Sequence, residues 1–87
     1  MSDKPQWPET VDQAVGVLLG LLPEGEKAKI AAMSQDDLVA LHLGLGMWIR
    51  NNLGLWSENS ALLESARAQN PDDASVVIIE ALWRRLR

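Results

Sequence analysis

Apolar residues recur at three- and four-residue spacing through Val11, Ala14, Val15, Leu18, Leu21 and Leu22, the period of an amphipathic helix. Thr10 stands just ahead of this stripe and Gln13 sits three positions on, the capping-box arrangement that starts a helix. Pro23 ends it. The following stretch, Pro23 to Met33, has only a thin apolar edge of Ile30 and Met33. It predicts a short helix of about two turns, with Pro23 as its first-turn residue.

A third helix is predicted from Ser34 to about Leu53. Ser34 and Asp37 occupy the two positions of a capping box. Leu38, Leu41, Leu45, Trp48 and Asn52 form one stripe, Val39, His42, Gly46, Ile49 and Leu53 an adjacent one, and Leu43, Met47 and Arg50 lie opposite the first. Apolar residues nearly all the way round mark a buried helix. Gly54 supplies a left-handed stop, and Leu55 the hydrophobic residue that closes such a motif. Gly16, Gly20, Gly44 and Gly46 lie inside predicted helices, where each costs about 1 kcal/mol relative to alanine. The expectation is that they let neighbouring helices come close.

Beyond a loop at Trp56, Asn59 caps a short helix through Ala61, Leu62, Leu63 and Ala66. Asn70-Pro71-Asp72-Asp73 then reads as N-cap, first-turn proline and two acids facing the helix dipole. The last helix runs from Ala74 to about Leu86. Its run Val76-Val-Ile-Ile79 has β-forming composition, but the caps, the glycine-free length and the lack of a second strand decide for a helix. Glu80 and Arg84 are spaced as an i,i+4 pair.

These elements make an all-α protein, a small single-domain bundle of four to five helices over residues 10–87. An extended or disordered lead-in occupies residues 1–9. Within it Trp7 is held extended by Pro8, and its ring is expected to fold over the first helix as a lid. A chain of 87 residues buries only about 60–65% of the surface its unfolded form exposes. The 47% hydrophobic content meets that demand.

Charge changes the picture little. The net value is −4, yet Asp12, Glu24, Glu26, Asp36, Asp37, Asp72 and Asp73 all fall at predicted helix starts, where the dipole favours anions. Arg84, Arg85 and Arg87 close the last helix, where it favours cations. Setting those three arginines aside leaves −7 on the rest of the chain, the opposite of a nucleic-acid footprint. With no cysteine there is neither a disulfide framework nor a thiolate zinc site. The longest nearly apolar run, Leu38 to Ile49, is too short for a membrane span. The opening MSDKPQWPE has no signal-peptide core, so the expected location is cytoplasmic, with no membrane or nucleic-acid partner.

Candidate chemistry is sparse. His42 is the single histidine, and its helical neighbours Leu38, Val39, Leu45 and Gly46 offer no metal ligand. It reads as a core residue bonded to a backbone carbonyl. Gly44-Leu45-Gly46 lacks the preceding strand and third glycine of a dinucleotide fingerprint. Capping accounts for the Asp36-Asp37 and Asp72-Asp73 pairs. No enzymatic activity, cofactor or metal is expected. Arg50-Asn51-Asn52 fits a helix end, neutralising its carbonyls. With Trp56 it also forms a corner rich in the residue types that carry binding energy.

LHLGLGMWIRNNLGLW, residues 41–56, and NPDDASVVIIEALWRRL, residues 70–86, together with PETVDQAV, resemble a family of short bacterial all-helical domains of unknown function. The resemblance spans about Trp7 to Leu86 and implies a small bacterial helical protein, with no activity, cofactor or site residue to carry over.

A bundle this small encloses one helix fully, whereas the third and last helices are both apolar on most sides. The surplus, involving Leu43, Met47, Val77 or Trp83, is expected to form an exposed patch of the kind that marks interfaces. The expected function is therefore a non-enzymatic protein–protein interaction module, with self-association into a homodimer as one form of it. The candidate surface is Met47, Arg50, Asn51, Trp56 and Trp83. The alternative is a small bacterial inhibitor or immunity-type protein that blocks a toxin or enzyme. A ligand pocket under Trp48, Trp56 and His42 is a third.

Overall fold

The computed structural model describes residues 7–56 and 59–87; of the lead-in expected over residues 1–9, residues 1–6 lie outside them. All regular structure among the described residues is helical: α1 (Val11–Leu21), α2 (Glu24–Ala32), α3 (Met47–Asn52), α4 (Ser60–Ser65) and α5 (Pro71–Leu86). A 3₁₀ segment (Gln35–Leu41) and a π-wound segment (His42–Gly46) lead directly into α3. The β-branched run Val76–Ile79 lies inside α5, so the fold is all-α, as the caps indicate.

Helix starts follow the sequence closely. Gln13 N donates to Thr10 Oγ1 at 3.1 Å, while Gln13 Oε1 reaches one residue beyond a capping box and accepts from Glu9 N at 2.9 Å. Ser34 and Asp37 form the full reciprocal box, Asp37 N to Ser34 Oγ at 3.3 Å and Ser34 N to Asp37 Oδ2 at 3.1 Å. Asn59 and Asn70 cap α4 and α5 through Leu62 N and Asp73 N. All seven acids named above stand in first turns. Pro23 departs from expectation: its extended backbone makes it the N-cap of α2, one step outside the first turn.

The core is organised around α5, which packs against α1, α2, α3, α4 and both irregular segments. Its inward face is Ala74, Ser75, Ile78, Ile79, Leu82 and Trp83. Facing it are Ala14, Val15 and Leu18 of α1, Ile30 of α2, Leu38 of the 3₁₀ segment, Ile49 of α3 and Leu62 of α4. Trp83 Nε1 donates to Met33 O at 2.8 Å, pinning the end of α2. Glu80 accepts from Gln35 Nε2 at 3.0 Å, and no Glu80–Arg84 ion pair forms among the described residues.

The predicted third helix is the main correction. Residues 35–46 are not α-wound, for two physical reasons. Gly44 and Gly46 weaken the α state in the π-wound part, and Gly46 packs against α5, where an added Cβ would lie 3.6 Å from Ile79 Cδ1 and 3.1 Å from Arg50 Nη1 of its own segment. The 3₁₀ turns over-wind, about 120° per residue against about 100° in an α-helix, and the wider π turns return part of that rotation. Leu38 and Ile49 both face the core, about three full turns apart, as they also would on a plain α-helix.

Close helix approach holds at Gly46 alone. A Cβ on Gly16, Gly20 or Gly44 would meet nothing within 4 Å, because α1 packs through Ala14, Val15 and Leu18 and turns its glycines outward. Trp7 also departs from expectation. Its ring lies on Gly54 at the end of α3, where a Cβ would fall 2.5–2.6 Å from Trp7 Cε3 and Cε2. Gly54 has φ +77°, the left-handed stop that the sequence indicated. Beneath it, the buried Asn59 donates from Nδ2 to Pro8 O at 2.9 Å and Leu53 O at 2.7 Å, tying the lead-in to the α3–α4 turn.

Candidate functional site

The 3₁₀ and π turns place two kinds of residue side by side on the outer face of segment 35–52. Leu41, Gly44, Leu45 and Trp48 form one wall of an open groove of about 600 Å³; Leu18, Leu21 and Leu22 of α1, with Glu26 and Ile30 of α2, form the other. Next to that wall, on the solvent side, Ala40, Leu43, Met47 and Asn51 make an exposed ridge. Leu43 is 81% exposed, Met47 49%, and across the groove Leu21 is 58%. At that exposure Leu43 adds little to the packing of the chain, while Met47 and Leu21 are about half covered.

The groove is chemically plain. Glu26 is its one charged lining residue, and its carboxylate already lies 3.7 Å from Lys29 of the same helix. Among the described residues no group of three His, Cys, Asp or Glu side chains is placed to hold a metal. Such a surface can desolvate aliphatic and aromatic groups, but offers little to orient a polar ligand.

The residues singled out from sequence divide. Met47 and Asn51 lie on the ridge and Trp56 is 60% exposed. Trp83 is not on the surface: at 6% exposure it belongs to the core, with Arg87 4.5 Å over its ring. Arg50 turns inward, its side chain 12% exposed, with Nε 3.3 Å from Asp72 Oδ1 and Nη1 donating to Ser75 Oγ at 3.1 Å. It fastens α3 to the start of α5 rather than neutralising its own helix end, where Asn52 donates to the carbonyl Trp48 O at 2.9 Å. His42 is half-buried, and its main-chain carbonyl accepts from Arg50 Nη2 at 3.4 Å, while its imidazole bonds to none of the described residues. Neither Trp56 nor His42 lines the groove that Trp48 helps to form. Leu21, Leu22 and Glu26 were missed. The exposure of Leu21 follows from the way α1 packs on α5, which no local spacing encodes.

No helix among the described residues is long and apolar enough to cross a membrane. The fold and face together define a small all-α domain with an uncharged, partly exposed apolar surface. The chain belongs to the family described as Domain of unknown function (DUF6794), whose match runs over residues 7–86. No curated protein and no solved structure matches it significantly.

Proposed function

We propose that this protein is a non-enzymatic interaction module of the bacterial cytoplasm, and that its working surface is the ridge and groove of segment 35–52. One observation carries the reading: Leu43 and Met47 stand exposed beside an apolar groove that their own chain leaves open. Contiguous exposed apolar patches on small soluble proteins mark interaction sites. The composition of the patch fits. Protein interfaces are depleted of charge at their centre and enriched in Met and Trp, and residues 38–49 contain Met47 and Trp48 without a single charged side chain. The absence of cysteine suits a reducing compartment, and the bacterial setting comes from the resemblance alone.

The test compares wild type with Leu43→Glu as baits in native lysate and in hydrodynamic mass. A stoichiometric partner, self or other, that is held by wild type and lost by the variant is the expected result. Identical partner profiles and identical masses for the two proteins would overturn the proposal.

A further inference from the structure

We infer that the occupant of the groove is a second copy of this chain, seated so that the Leu43–Met47 ridge of each protomer lies in the groove of the other. The inference rests on the interaction reading above and names its partner.

Three features favour a second copy. The first is shape. Ridge and groove are adjacent strips of one segment: Ala40, Leu43, Met47 and Asn51 beside Leu41, Gly44, Leu45 and Trp48. A two-fold axis between the strips places each ridge against the other protomer's groove, and the contact closes on itself. An isologous interface needs this self-complementarity, whereas a ridge and groove on distant faces would build filaments.

The second is charge. A protein of net −4 repels its own copy unless the contact excludes the charges. Here residues 38–49 carry none, and the rim supplied by α2 balances Glu24 and Glu26 with Lys27 and Lys29, paired at 3.2 and 3.7 Å. A cationic helix has little to gain from a groove whose single carboxylate already has a lysine partner. An anionic membrane would meet Asp36 and Asp37 at the start of the same segment.

The third is space and area. A Cβ on Gly44 would meet nothing within 4 Å, so the backbone near the axis can be approached closely. A standard interface takes about 800 Å² from each partner, roughly one seventh of the 5606 Å² this chain exposes. Exposed apolar patches on monomers reach about 300–600 Å². A contact built from one ridge, one groove and the α1 and α2 rims corresponds to a reversible dimer rather than an obligate one, whose interfaces run larger.

The experiment measures mass by light scattering and sedimentation equilibrium across a wide concentration series. Wild type should rise from 9.6 kDa toward twice that value, with a blue shift of Trp48 emission as its exposed edge is covered. Leu43→Glu should stay at the monomer mass with unchanged far-UV circular dichroism. Because the chain has no native cysteine, Gly44→Cys should cross-link to a dimer on mild oxidation, and Glu64→Cys on α4 should not. A wild type that stays at the monomer mass throughout, a dimer that survives Leu43→Glu, or equal cross-linking of the two cysteine variants would each overturn the inference. If wild type is monomeric but a different protein is held by it and lost by Leu43→Glu, the second copy is refuted while the interaction reading stands. If neither is seen, both fall.

Discussion

Four residues show how differently single positions carry the fold. Gly54 combines a positive φ with the Trp7 ring where a Cβ would go. Gly54→Ala should therefore cost about 3 kcal/mol, part backbone strain and part overpacking, read from the shift in urea midpoint. Gly44→Ala meets open space and should gain about 0.5–1 kcal/mol from reduced backbone entropy; a loss at Gly44 as large as at Gly54 would refute the contrast. Asn59 is a buried knot whose side chain serves Pro8 O, Leu53 O and Leu62 N. Asn59→Ala removes a cap and strands two carbonyls, an expected loss of about 2–4 kcal/mol in chemical denaturation. Arg67 holds φ +54° at the end of α4, a conformation that glycine adopts more cheaply. Arg67→Gly should raise stability by about 0.5–1 kcal/mol, and a measured loss would show that its side chain contributes more than the strain costs. Gly54 and Asn59 were legible as stop and cap because turn chemistry is local. Arg67 was not, because arginine carries no left-handed signal.

At the scale of elements, the sequence placed the caps at Thr10, Ser34, Asn59 and Asn70 because caps and dipole-facing acids act within one turn. It erred on winding. Segment 35–52 has the periodicity, the box and the stop of a continuous α-helix, yet residues 35–46 wind as 3₁₀ and π turns with Gly46 packed against α5, a tertiary contact that local spacing does not encode. Such windings have poorer hydrogen-bond geometry and are rare in long runs. Backbone amides of residues 38–46 should then exchange with solvent by local opening, well before those of Ile78–Leu82 in α5, which are released only on global unfolding. Equal protection in native-state hydrogen exchange would mean that the irregular turns are as firmly held as the central helix. The same weakness bears on the groove, since its Leu41–Gly44–Leu45 wall is built from these turns and can adjust to what it contacts.

For the molecule as a whole, the two helices that looked equally apolar in sequence have opposite fates. Spacing alone could not decide which would be enclosed, since both carry hydrophobic residues on most sides and only the packing of α1, α2 and α4 distinguishes them. α5 took the centre and left the outer side of segment 35–52 uncovered. Matched substitutions test that division directly. Leu82 is fully buried, so Leu82→Ala should cost about 2–5 kcal/mol through lost transfer energy and a cavity. That is a large share of the total of about 4–13 kcal/mol expected for 87 residues, enough to populate unfolded protein at ambient temperature. Leu43 is a chemically identical residue on the other face, and even Leu43→Glu should change monomer stability by no more than about 0.5 kcal/mol. Urea titrations followed by both tryptophan fluorescence and circular dichroism, at concentrations low enough to exclude association, read these values and show whether the transitions coincide. A substantial loss at Leu43 under those conditions would mean that the ridge supports the fold itself, and the face would no longer be free to serve a partner.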